Sequence, residues 1–232
     1  MEAVAIVGSI LIAFALDAWW DRSQAQVENR ERLEAVLEEV ESAEQAIEWT
    51  LRSRTSAVEN SVELRRRLTE IPLGQRVSVP DSLIAPISHA WVTEIQIGNA
   101  EEFLSAEGAN VDGGLILKQA TRTWLTRVED VQDDEKQFRE FISRDMAPFL
   151  RSRFNLAVAQ TALRSMADSG LKYEPMVPVQ VPIETSVELL NLLLMMELDE
   201  RALVRDTRQL RDANKALALE IRDALGVSPD TH

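Results

Sequence analysis

The sequence predicts an all-α protein, in which an N-terminal transmembrane helix is continuous with a long-helix, up-and-down bundle. Three observations predict it. Ala, Leu, Glu and Arg recur throughout while glycine and proline number eight each, a composition that favours long helices. Apolar residues return at spacings of three, four and seven, as they do on one face of a helix. The chain opens on an uncharged apolar run, AVAIVGSILIAFAL, from Ala3 to Leu16.

The first element is the anchor, residues 1–20. Ala3 to Trp20 makes roughly 27 Å of helix at about 1.5 Å per residue, close to the roughly 30 Å of a hydrocarbon core. Trp19 and Trp20 stand where an interfacial aromatic belt belongs. Asp17 falls near the headgroups, where a charge costs less than at the bilayer centre. Ala13-Phe14-Ala15 resembles a signal-peptide cleavage site, but the basic segment such a leader needs is missing. A buried core helix is the third reading of the run. Ala5, Ser9 and Ala13 recur every four residues, and Gly8 widens that side. Such a small-residue stripe lets another helix approach closely, so these three are the candidates for packing against a partner helix. Arg22, Arg30 and Arg32 follow the run, and the positive-inside rule taken alone puts the large domain in the cytoplasm.

Residues 21–71 read as a stalk and first bundle helix. Val27, Leu33, Leu37, Val40, Ile47 and Leu51 mark an apolar stripe with some positions missing, and Val58, Val62, Leu64 and Leu68 continue it. Arg65, Arg66 and Arg67 sit near the C-terminus, where positive charge suits the helix dipole. Pro72 and Gly74 end the helix. Residues 72–98, punctuated by Pro72, Pro80 and Pro86, read as an extended crossover.

Residues 99–226 are the remainder of the bundle. Asn99 is a plausible N-cap for a short helix that Gly108 stops. Asp112 can cap a helix starting near Gly114, with Leu117, Ala120, Trp124, Val128, Val131 and Phe138 on its buried side. The acidic stretch Glu129–Glu135 reads as its wet side. Pro148 should kink or break it, and a further helical piece runs to about Asp168 and Gly170. Pro175, Pro178 and Pro182 mark a second extended crossover over residues 171–183. Thr185 and Glu188 form a capping-box pattern for the last helix, whose apolar start, VELLNLLLMMEL, reads as the most buried stretch of the bundle. Gly226 stops that helix, and residues 227–232 are a flexible tail.

Chemistry is sparse. The net charge of −14 makes nucleic acid an unsuitable partner, because phosphate binding needs clustered Lys and Arg. The absence of cysteine removes disulfides, thiolate nucleophiles and Cys-ligated metals. The two histidines are His89, in the apolar crossover, and the terminal His232; neither sits in a catalytic motif, and no GxSxG elbow is present. The Glu-x-x-His pairs of di-metal bundles are missing, as are a P-loop and GxGxxG. Glu38, Glu41, Glu44 and Glu48 read as a solvated face. Asp130, Asp133, Asp134 and Glu135 lack EF-hand spacing. No catalytic residue, metal or cofactor is expected.

The string IVGSILIAFALDAWWDR, followed at once by an acidic amphipathic helix, resembles the start of an uncharacterised bacterial family of single-pass membrane proteins. Those begin with a membrane helix of the IGILIA…W type and continue into a helical extracytoplasmic domain. AEEFLSAEGANVDGGLILKQATRTWL and FISRDMAPFLRSR resemble later segments of that family, so the likeness spans roughly residues 4–155. It implies a bacterial inner-membrane location with the large domain in the periplasm, although the basic residues that usually precede the membrane helix are missing. It carries no activity. The expected function is therefore non-enzymatic: an accessory or scaffold subunit that meets the lipid bilayer and other membrane proteins, or itself, through the membrane helix. The alternative is an extracytoplasmic sensor, a ligand-binding helical bundle that signals laterally to a membrane partner.

Overall fold

The structure, a computed structural model, describes residues 2–106, 114–153 and 180–227, with side chains from residue 14 onward except at Ser88. It is mostly helical with one small sheet, as the all-α expectation requires. Helix α1 runs unbroken over Glu2–Thr69. Strand β1, Arg76–Pro80, and the short helix α2, Asp81–Ile84, follow. After a 3-10 turn at Pro86–Ser88 come α3, Gly98–Ser105, and α4, Gly114–Phe141. A π-helical turn at Ile142–Met146 leads into α5, Ala147–Arg153. Strand β2, Gln180–Glu184, and α6, Val187–Leu225, complete the described elements.

The buried stripe of α1 is more regular than its apolar residues suggest. Leu33, Val36, Val40, Ala43, Ile47, Thr50, Arg54, Ala57, Ser61, Leu64 and Leu68 are all buried, and they step alternately by three and four. That is the 3.5-residue period of a helix packed along a seam. The gaps in the apolar pattern are filled by Thr50, Arg54 and Ser61. Leu37, Val58 and Val62 lie at the edge of the stripe, and Val27 is exposed, against expectation. Helices α4 and α6 keep the same period, with Thr121 and Glu135 in one seam and Glu200, Thr207 and Asn214 in the other.

The chain divides into two compact units, and each long helix supplies residues to both. The first comprises residues 1–43, 95–125 and 213–232. Its core joins Leu33, Val36 and Val40 of α1, Phe103 of α3, Trp124 of α4, and Leu217 and Ile221 of α6. The Trp124 indole N–H donates to Asn214 Oδ1 at 2.8 Å, and Asn214 Nδ2 donates to the Val40 carbonyl at 3.0 Å. One buried amide thus ties three helices. Asn99 is not the cap of α3. The buried Glu39 carboxylate of α1 accepts from the Asn99 and Ala100 backbone N–H groups at 3.1 and 3.0 Å, so the orphan donors of the first turn are met from another helix.

The second unit, residues 44–94 and 126–212, holds an extensive apolar cluster. Leu64, Leu68, Ile84, Phe138, Leu150, Ile183 and Leu193 are among its members. Both segments expected to be extended crossovers contribute a strand. β1 pairs antiparallel with β2, Val77 opposite Ile183. The first crossover is not wholly extended, since α2 and the 3-10 turn interrupt it. Gly74 enters the strand at φ 79, within a turn closed by the Gln75 N–H on the Pro72 carbonyl. Thr185 continues the ladder with Gly74 and Gln75. The cap of α6 therefore falls one residue later than the predicted box. Ser186 Oγ accepts from the Leu189 N–H at 3.1 Å.

Pro148 follows the π turn, where the Ala147 N–H reaches back to the Ile142 carbonyl. A five-residue step there accommodates a proline ring that would otherwise meet the preceding turn. Gly226, at φ 69, closes α6 as expected. Its N–H bonds Asp223 and the Val227 N–H bonds Arg222, a Schellman ending. The start of α6 is not buried all round. Leu189, Leu193 and Met196 face inward, while Val187, Leu194, Met195 and Leu198 are exposed. A seam helix hides one stripe only. The expectations for Gly108, Asp112, Asp168, Gly170, Pro175 and Pro178 lie outside the described residues.

Candidate functional site

The second unit contains a charged cluster in its apolar seam. Arg54 on α1 has no exposed surface and Glu135 on α4 is 1% exposed. Arg54 Nη2 donates to Glu135 Oε1 at 2.5 Å and to the Trp91 carbonyl at 3.1 Å. Arg54 Nη1 donates to Thr207 Oγ1 on α6, and the Thr207 hydroxyl donates on to the Leu203 carbonyl. Glu135 Oε1 also accepts from the Thr93 N–H at 2.9 Å and the Thr93 hydroxyl at 2.7 Å. One guanidinium therefore links α1, α4, α6 and the first crossover. Buried ion pairs of this kind are tolerable because neighbouring hydrogen bonds offset desolvation.

The same α6 seam carries Glu200, two helical turns before Thr207. It has no exposed surface, and neither carboxyl oxygen has a hydrogen-bond partner among the described residues. Arg54 Nε also lacks one. Burial pushes the Glu200 carboxyl up to about 8, opposed by the Arg54 charge and reinforced by Asp199 and Glu135. Glu200 is therefore mainly protonated at neutral pH, the usual way for a buried carboxyl to avoid an uncompensated charge.

Beside this cluster, Arg65 donates to Glu197 Oε2 at 2.7 Å while Arg201 pairs with Glu197 Oε1 at 3.0 Å. The contacts Arg54–Thr207 and Arg65–Glu197 show α1 and α6 running antiparallel in this unit. Trp91 stacks edge-on against Trp49 and His89, with centroids 5.3 and 4.5 Å apart. His89 is exposed overall, but desolvation of its ring lowers its pKa. It does not join the charged cluster.

The acidic stretch Glu129–Glu135 divides. Glu135 enters the core, which corrects its reading as part of the wet side. Asp134 hydrogen-bonds Asp206, and burial, then the Asp206 charge, raises the Asp134 pKa. Among the described residues no group of three or more acidic or histidine side chains is arranged to hold a metal ion. Glu41, expected to be solvated, pairs with Arg222 at 2.8 Å on the surface of the first unit. An open groove of about 320 Å³ in that unit is lined by Glu28, Glu31, Arg32, Asn99, Glu102 and Phe103.

Of the residues predicted from sequence to meet a membrane or a partner helix, Trp19 and Trp20 are 63% and 64% exposed. The side chains of Ala5, Ser9 and Ala13 lie outside the described residues. Among the described residues no helix is long and apolar enough to cross a membrane. The side chains of residues 2–13, most of the predicted span, are not among them. Sequence reasoning missed Arg54, Glu135, Glu200 and Thr207. The available signal was the set of polar residues standing at seam positions, where the three-and-four rhythm requires an inward side chain. No family model, curated protein or solved structure matches the chain.

Proposed function

We propose that this protein is a membrane-tethered helical subunit that works by contact and without catalysis. In this reading it is an accessory or scaffold component of a larger bacterial inner-membrane assembly, with its large domain in the periplasm. The observation that carries the reading is the collar at the start of α1. Phe14, Leu16, Trp19 and Trp20 are each more than half exposed, and helical steps of about 100° distribute them over several sides of the helix. Burying each such side chain is worth about 1.5–3 kcal/mol, and a bilayer with its interfacial zone removes them from water on every side at once. The apolar run from Ala3 supports the same tether. Ala5, Ser9 and Ala13 supply the stripe through which a partner's membrane helix would pack.

Purification of the full chain from native membranes in mild detergent, with sizing and identification of co-purifying proteins, tests this. A stable complex with other membrane proteins is expected. Recovery as a lone monomer or homodimer overturns the subunit reading, and release from membranes by an alkaline wash overturns the tether. Ser9→Leu with Ala13→Leu should weaken the association; unchanged association removes the stripe from the argument. The chain has no cysteine, so Gln119→Cys introduces one exposed thiol, and its labelling by an impermeant reagent in intact spheroplasts reports on which side the domain lies.

A further inference from the structure

We propose that Glu200, with Arg54 and Glu135, forms a proton-controlled latch in the second unit, closed while Glu200 holds a proton and loosened when it gives that proton to solvent. The geometry carries the proposal. Glu200 occupies a seam position, has no exposed surface, and has two carboxyl oxygens without partners among the described residues. The cation nearest in function is Arg54, whose Nη groups are committed to Glu135, Thr207 and the Trp91 carbonyl. Loss of the Glu200 proton leaves two buried carboxylates competing for one guanidinium. The new carboxylate must then draw on the Arg54 Nε–H, which has no partner, pull the guanidinium from Glu135, or admit water. The last two responses disturb the contact that ties α1, α4 and α6, and the first adds a second buried carboxylate to the guanidinium that holds Glu135.

The charged groups acting on Glu200 are Arg54 from α1, Glu135 from α4 and Asp199 from its own helix. The first crossover brings Trp91 and Thr93 to the cluster, and neither is charged. One turn away, Glu197 is already balanced by Arg65 and Arg201. Among the described residues of the cluster no second cation is therefore free to neutralise Glu200 when it ionises.

The direction follows from linkage. The folded carboxyl titrates at about 8 against an ordinary value of 4.5. Stability from this group is complete below 4.5, falls as pH rises, and is fully lost above about 8. Between those limits the opening constant of the segment rises about tenfold per pH unit if the opened state exposes Glu200 to water. The mechanism is independent of what the membrane helix binds.

Hydrogen exchange on the full chain, corrected for the intrinsic pH dependence of amide exchange, tests the latch. Protection in α6 around Glu200 and in α1 around Arg54 should fall between pH 6 and pH 8, by up to about a hundredfold. Glu200→Gln, which keeps size and removes the titration, should flatten that profile while leaving the first unit unchanged. Infrared difference spectra of the unmodified protein should show a protonated-carboxyl band that disappears toward pH 9 and is absent from Glu200→Gln. Identical exchange profiles in the two proteins, or no such band at pH 6, overturns the proposal.

Discussion

Replacing Arg54 by methionine tests the central claim about the seam, that one guanidinium holds Glu135 inside it. Methionine keeps most of the length and apolar volume of the arginine stem but removes the charge and its donors. Arg54 is fully buried and Glu135 nearly so. Among the described residues, Arg54→Met leaves Glu135 with only the two Thr93 donors and deprives the Thr207 hydroxyl oxygen and the Trp91 carbonyl of the hydrogen bonds they now accept from Arg54. Breaking a buried pair by removing one partner costs about 3–5 kcal/mol. Against the roughly 5–15 kcal/mol that typically holds a folded domain, that is a large loss. For a chain of this size it lowers the melting temperature by roughly 6–20 °C. The assay is equilibrium urea unfolding of the full chain at neutral pH, followed by circular dichroism. The double variant Arg54→Met with Glu135→Leu removes both charges and should recover to within about 1 kcal/mol of the original protein, or exceed it. The reasoning is refuted if Arg54→Met costs under about 1 kcal/mol, or if the double variant is as unstable as the sum of the single ones.

Other substitutions probe the remaining tertiary contacts. Glu39→Ala should cost about 0.5–2 kcal/mol, the range for losing a helix cap, with faster amide exchange at Asn99 and Ala100; unchanged exchange there removes Glu39 as the cap of α3. Trp124→Phe leaves Asn214 Oδ1 without its indole donor and should cost about 1–3 kcal/mol, read as a lower urea midpoint. At the C-terminal end of α1, hydrogen bonds from Arg66 and then Arg67 hold the Glu63 carboxyl down to about 2. Its contribution is therefore present above the ordinary value of 4.5 and is lost as pH falls through about 2, and carboxyl NMR titration of Glu63 should return that depressed midpoint.

The sequence by itself determined the helices and most of their ends. Long runs without Gly or Pro commit the chain to α1, α4 and α6, and local chemistry places their stops. Pro72 and Gly74 end the first helix, and Gly226 ends the last with a left-handed residue that few side chains tolerate. These are short-range effects, legible within a few residues. Tertiary structure decided which polar groups are buried. Glu38, Glu39 and Glu41 are equivalent in composition, yet only Glu39 turns onto the start of α3. Of Glu129–Glu135, Glu135 alone meets Arg54. Helix rotation chooses among such neighbours, because a seam of period 3.5 admits one side chain and excludes the next. Partners far along the chain then fix the outcome. Thr93, Thr207 and Trp91 make the Arg54–Glu135 pair tolerable, and β1 finds β2 about a hundred residues later. An isolated glutamate in a sequence carries no mark of its surroundings, so only the packed seam shows that Glu200 has no exposed surface.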